Sequence, residues 1–112
     1  MEKRIRHVIE RSEPILLSET SDFNEYIFQA DNYVVLYNTS DCTCMLIRFR
    51  DEIDASDFKN MMIDVSNAIG KYFDDGVSPL LFSFQRQFMK TLVSYFDGAK
   101  ILCYSKRIDV KI

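Results

Sequence analysis

The chain has 112 residues, 47% hydrophobic and 28% charged, with a net charge of −3. That length suits a single domain with one core, and that composition belongs to folded chains rather than disordered ones. The longest apolar stretches fall far short of the roughly 18 residues a membrane-spanning helix needs, and no apolar core follows the basic Met1–Arg6 opening as it would in a secretory signal.

Residues 1–22 read as an N-terminal arm. A short amphipathic helix is expected over 2–11, with Ile5, Val8 and Ile9 on one side. Pro14 ends it, and Ser18 to Asp22 is polar and turn-like. Residues 23–112 read as one α/β domain. Glu25 to Gln29 and Tyr33 to Tyr37 are rich in strand formers and are separated by Asp31-Asn32, a turn signal. After a second polar turn, Cys44 to Arg50 alternates. Met45, Ile47 and Phe49 share one face and Arg48 and Arg50 the other, as in a half-buried strand.

A helix is expected from Ala55 to Phe73, because Phe58, Met61, Met62, Val65, Ile69, Tyr72 and Phe73 recur at three- and four-residue steps. Asp54 or Ser56 is positioned to cap it, and Gly76 to close it. Leu80 to Phe84 reads as a buried strand and Gln85 to Phe96 as a second amphipathic helix. Ala99 to Tyr104 reads as a strand, and Arg107 to Ile112 alternates like a further one. The expected fold is a small mixed β-sheet with two main amphipathic helices packed on it, in β-β-β-α-β-α-β order. Its β-α-β units would make the later strands parallel.

Element order and three stretches together resemble a known family. They are Asn32–Asn38, Leu46–Arg50 and Asp54–Phe58 opening the long helix. Over about residues 25–104 the chain is similar to STAS-like domains, including the anti-anti-sigma factor type and the SEC14/STAS-like proteins of some bacteria. The resemblance implies a regulatory protein-binding role. Phosphorylated members carry a serine in an Asp-Ser-Ser-Gly-like turn. Here the matching stretch is Phe82-Ser83-Phe84-Gln85-Arg86, which keeps Ser83 but has neither the aspartate nor the glycine.

Little in the sequence points to chemistry. The three cysteines, Cys42, Cys44 and Cys103, are an odd number and favour reduced thiols in a cytoplasm. Cys42-Thr43-Cys44 lacks the usual spacing of a zinc pair, and the single histidine, His7, has no sequence neighbour that would make a nucleophilic site. No glycine-rich phosphate loop is present. No catalytic residue, metal site or cofactor is therefore expected. Nucleic acid is not expected as a partner, given the acidic balance, and neither is a membrane.

Charge is unevenly placed. Residues 12–75 hold thirteen acidic and four basic side chains, and both ends are net basic. This pattern, with abundant Phe and Met, points to a non-enzymatic protein-binding or regulatory module whose partner is another protein or a second copy in a homodimer. Its expected contact residues are Asp57, Asn60, Asp64 and Asn67 on the long helix, with Ser83, Gln85 and Arg86. Two other readings remain open. One is a small-ligand-binding domain or enzyme with a pocket at the carboxyl ends of parallel strands, near Arg50, Asp51, Ser83, Gln85 and Ser105. The other is a phage or mobile-element inhibitor of a host protein.

Overall fold

The computed structural model describes residues 1–19, 22–40, 42–72 (side chains to 68), 86–105 and 107–110. The elements follow in the order α1 (Glu2–Glu10), β1 (Ile15–Glu19), β2 (Asn24–Ala30), β3 (Tyr33–Asn38), β4 (Thr43–Arg48), α2 (Glu52–Tyr72), α3 (Arg86–Ser94) and β5 (Lys100–Ser105). The strands form one sheet in chain order, β1-β2-β3-β4-β5, and every neighbouring pair is antiparallel.

This topology corrects the parallel arrangement expected from the element order. β4 and β5 lie side by side and antiparallel, so they are not joined by a right-handed parallel crossover. The strand expected at Leu80 to Phe84 lies outside the described residues. The resemblance to STAS-like domains draws no support from a five-stranded antiparallel meander. Residues 107–110 form no strand.

The sheet is covered on both faces. Alternation along each strand sends Ile27, Val34, Leu36, Met45 and Ile47 to one side, where Ala55, Phe58 and Met62 of α2 and Met89, Leu92 and Val93 of α3 close the core. The other side carries Phe28, Val35, Tyr37, Cys44 and Leu46 under Ile5 and Val8 of α1 and Ile108 of the C-terminal segment. A strand buried on both faces reads as a continuous apolar run. β3 and β4 behave this way, so β4 is not half-buried: only Arg48 of its six residues reaches solvent.

Local chemistry sets the joints. Asp31 takes a positive φ of 53° at the β2–β3 turn, which a short polar side chain tolerates. Next to it, the Asn32 amide donates to the Phe49 carbonyl at 2.8 Å, tying that turn to the end of β4. Helix α2 starts three residues earlier than expected. The cap is Asp51, whose carboxylate accepts the Asp54 amide hydrogen at 2.8 Å. Phe49, Phe58 and Phe96 then meet ring to ring, with centroids 5.0, 5.5 and 5.8 Å apart. This cluster fixes the start of α2 against the end of α3.

The arm is part of the fold. Its helix seals one face, and β1 is an edge strand where a polar turn is expected from the sequence. Only Ile15, Leu16 and Leu17 are apolar there, and a register shift between Leu16 and Ser18 breaks the alternation.

Candidate functional site

The outer face of α2 brings together the four helix residues expected to form a contact surface. Asp57, Asn60, Asp64 and Asn67 are all exposed, and at 100° per residue they fall in one stripe opposite the buried Phe58 and Met62. Ile53 heads the same stripe and is 72% exposed. The carboxylates of Asp57 and Asp64 make no ion pair among the described residues. Nearer the helix start, Asp54 and Asp51 are both engaged by Arg50, at 3.2 and 3.6 Å. The stripe is therefore a row of solvated acidic and amide groups with one large apolar residue at its head.

Arg86 does not join that stripe. It is the first residue of α3, and its guanidinium stacks over the Tyr104 ring of β5 at 4.1 Å. Ser83 and Gln85 lie outside the described residues.

Of the residues of the alternative pocket, the described ones, Arg50, Asp51 and Ser105, are not gathered. Arg50 and Asp51 follow β4 at the end where Arg48 pairs with Lys100. Ser105 pairs with Cys44 at the opposite end of the sheet. An antiparallel pair sends the carboxyl ends of its strands to opposite edges, so β4 and β5 share no carboxyl edge for such a pocket. Asp51 is occupied as a helix cap and Arg50 by its two aspartates.

Two features carried no sequence signal, because each depends on strand register. Ser18, Glu25, Asn38 and Thr43 are buried polar residues, and they stand in one transverse row across β1, β2, β3 and β4. Among the described residues, the Ser18 hydroxyl and the Asn38 amide nitrogen in that row find no hydrogen-bond partner, and neither does the buried Tyr104 hydroxyl. Burial raises the Tyr104 phenol, while the Arg86 cation opposes the rise. The second row lies on the α1 face at the other end of the sheet. There Tyr33, Arg48 and Lys100 are successive cross-strand partners, and the Arg4 guanidinium sits 4.7 Å from the Tyr33 ring centre.

The thiols lie beneath the C-terminal segment. All three cysteines are free. Burial, reinforced by Cys42 and then Cys103, pushes the Cys44 thiol up to about 12. Burial, then a hydrogen bond with Cys42, raises the Tyr37 phenol as well. These shifts make Cys44 a poor nucleophile. Among the described residues, no group of three or more His, Cys, Asp or Glu side chains is arranged to hold a metal ion, and no helix is long and apolar enough to cross a membrane.

Comparison with known proteins returns no relative: no family model, no curated protein and no solved structure matches the chain.

Proposed function

We propose that the chain is a non-enzymatic binding module that acts in a reducing cytoplasm by protein–protein contact. The outer face of α2 meets a basic partner surface. The single observation that carries this reading is the stripe of Asp57, Asn60, Asp64 and Asn67. A 21-residue helix presents these groups in one line, with both carboxylates free of internal ion pairs among the described residues. Internal salt bridges would have spent that charge. Left solvated, it steers a complementary surface and sets its register. Ile53 at the head of the stripe supplies an apolar contact inside a polar rim, the usual anatomy of an interface.

The test is affinity capture of the tagged chain from its native host, run beside an Asp57→Lys/Asp64→Lys variant. Both positions are exposed, so the variant keeps its core. The expected result is one protein recovered by the parent and lost by the variant, with capture weakening as salt is raised. A partner that binds both forms with equal affinity would refute this surface. Recovery of the chain alone would direct the reading to a homodimer, checked by light scattering.

A further inference from the structure

We infer that the α1 face carries a binding site for a small phosphate-bearing anion, centred on Arg4, Arg48 and Lys100. The chain as a whole is acidic, yet at this corner cations collect from three elements. Register places Tyr33, Arg48 and Lys100 side by side on β3, β4 and β5, all facing the α1 layer. α1 packs mainly over β2 and β3, and Arg48 and Lys100 are exposed beside it. Arg4 reaches from α1 onto the Tyr33 ring at 4.7 Å, a cation–π contact that places its guanidinium beside the row. An open groove of about 380 Å³ at the start of α1 is lined by Met1, Lys3, Arg4 and His7, so Arg4 borders both the groove and the Tyr33 ring.

What surrounds the cluster strengthens it. Two carboxylates on this side are engaged elsewhere, Glu2 by Arg6 at 3.3 Å and Asp31 by Arg11 at 3.9 Å. Arg4, Arg48 and Lys100 have no carboxylate within 4 Å among the described residues. The positive end of the α1 dipole adds to the field at Arg4.

Geometry and charge choose the ligand class. Tyr33 to Lys100 spans two strand spacings, roughly 10 Å, which is wider than one phosphate and suits two linked ones. Guanidinium forks bind phosphate oxygens bidentately, and Lys adds a point charge. A small ligand feels only the local field, because charges farther than about 8–10 Å are screened.

The experiment is isothermal titration of the full chain with inorganic pyrophosphate at low salt, with inorganic phosphate and polyglutamate as comparators. Pyrophosphate is expected to bind saturably with one site per chain and about tenfold more tightly than phosphate, through its second set of charge-assisted bonds. The exposed double variant Arg48→Glu/Lys100→Glu is expected to weaken it at least about tenfold, while Lys90→Glu on α3 leaves it unchanged. Far-UV circular dichroism confirms that both variants are folded. Absence of saturable pyrophosphate binding, or equal binding by the double variant, overturns the site. Polyglutamate binding as tightly as pyrophosphate overturns the phosphate assignment.

Discussion

Replacing Phe58 by alanine tests how the long helix is attached to the sheet. The side chain is fully buried, and its ring meets Phe49 and Phe96 with centroids 5.0 and 5.8 Å away. Emptying such a site removes the transfer energy of the ring and leaves a cavity, together about 3–5 kcal/mol. Each lost ring pair accounts for about 0.5–1.5 kcal/mol beyond area alone. Domains of this size are stable by about 5–15 kcal/mol, so the variant should lose about a fifth or more of its stability. At about 4 °C per kcal/mol, its melting temperature should fall by about 12–20 °C. Urea unfolding followed by circular dichroism measures the loss at constant slope. Tyr95→Ala, at a position 72% exposed on the neighbouring segment, is the control and should change stability by less than about 0.5 kcal/mol. A Phe58→Ala loss below about 1 kcal/mol would mean that the three rings do not hold α2 and α3 to the sheet as described.

Other expectations are smaller or chemical. Asp51→Ala removes the α2 cap and should destabilise by about 1 kcal/mol, read by the same unfolding curve, with Asp51→Asn recovering most of the loss. Alkaline pH should destabilise the fold. Between 9 and about 12 the unfolded chain has lost the Cys44 proton while the native state keeps it, so the native state binds more protons and stability falls as pH rises. The slope from this one group approaches about 1.4 kcal/mol per pH unit. Cys44→Ala should flatten it, whereas an unchanged slope would place the effect elsewhere. The raised phenols of Tyr37 and Tyr104 steepen the fall at higher pH. Thiol labelling with a chromogenic disulfide should reach the part-exposed Cys42 and Cys103 first, and the buried Cys44 only on unfolding, as followed by mass spectrometry of timed samples.

How far the sequence could be read depended on the range of each signal. Helical periodicity is local, and it located α2 and α3 to within three residues because Phe58, Met62, Met89, Leu92 and Val93 face the core at the expected steps. β2, β3, β4 and β5 were legible for the same reason, as short runs of strand formers between turn residues. Pairing direction is not local. β4 and β5 lie more than fifty residues apart in sequence, and nothing in either run states that they meet antiparallel. The cap fell to Asp51 rather than Asp54 because a capping carboxylate reaches three residues forward, and Asp51-Glu52-Ile53-Asp54 satisfies that spacing first. Within the candidate surface, Asp57, Asn60, Asp64 and Asn67 could be grouped from helical spacing alone. The Tyr33–Arg48–Lys100 row could not. Its members come from three strands, and a single-residue slip in register would turn Arg48 to the opposite face.

The strand order has a consequence for how the chain folds. In a sheet whose strands pair in the order of synthesis, β1 to β4 can zip through short loops before the rest of the chain is available. Closing such loops carries a low entropic cost, which favours rapid folding. The last strand differs, because both helices must be accommodated before β5 docks on β4. The β2–β3 hairpin is therefore the expected nucleus, where substitutions such as Val35→Ala slow folding. β5 is the expected late element, where Ile101→Ala mainly speeds unfolding. Until α2 and α3 arrive, Met45 and Ile47 lie bare on a four-stranded intermediate. The nascent chain is then at its most adhesive, with most of its sheet already built.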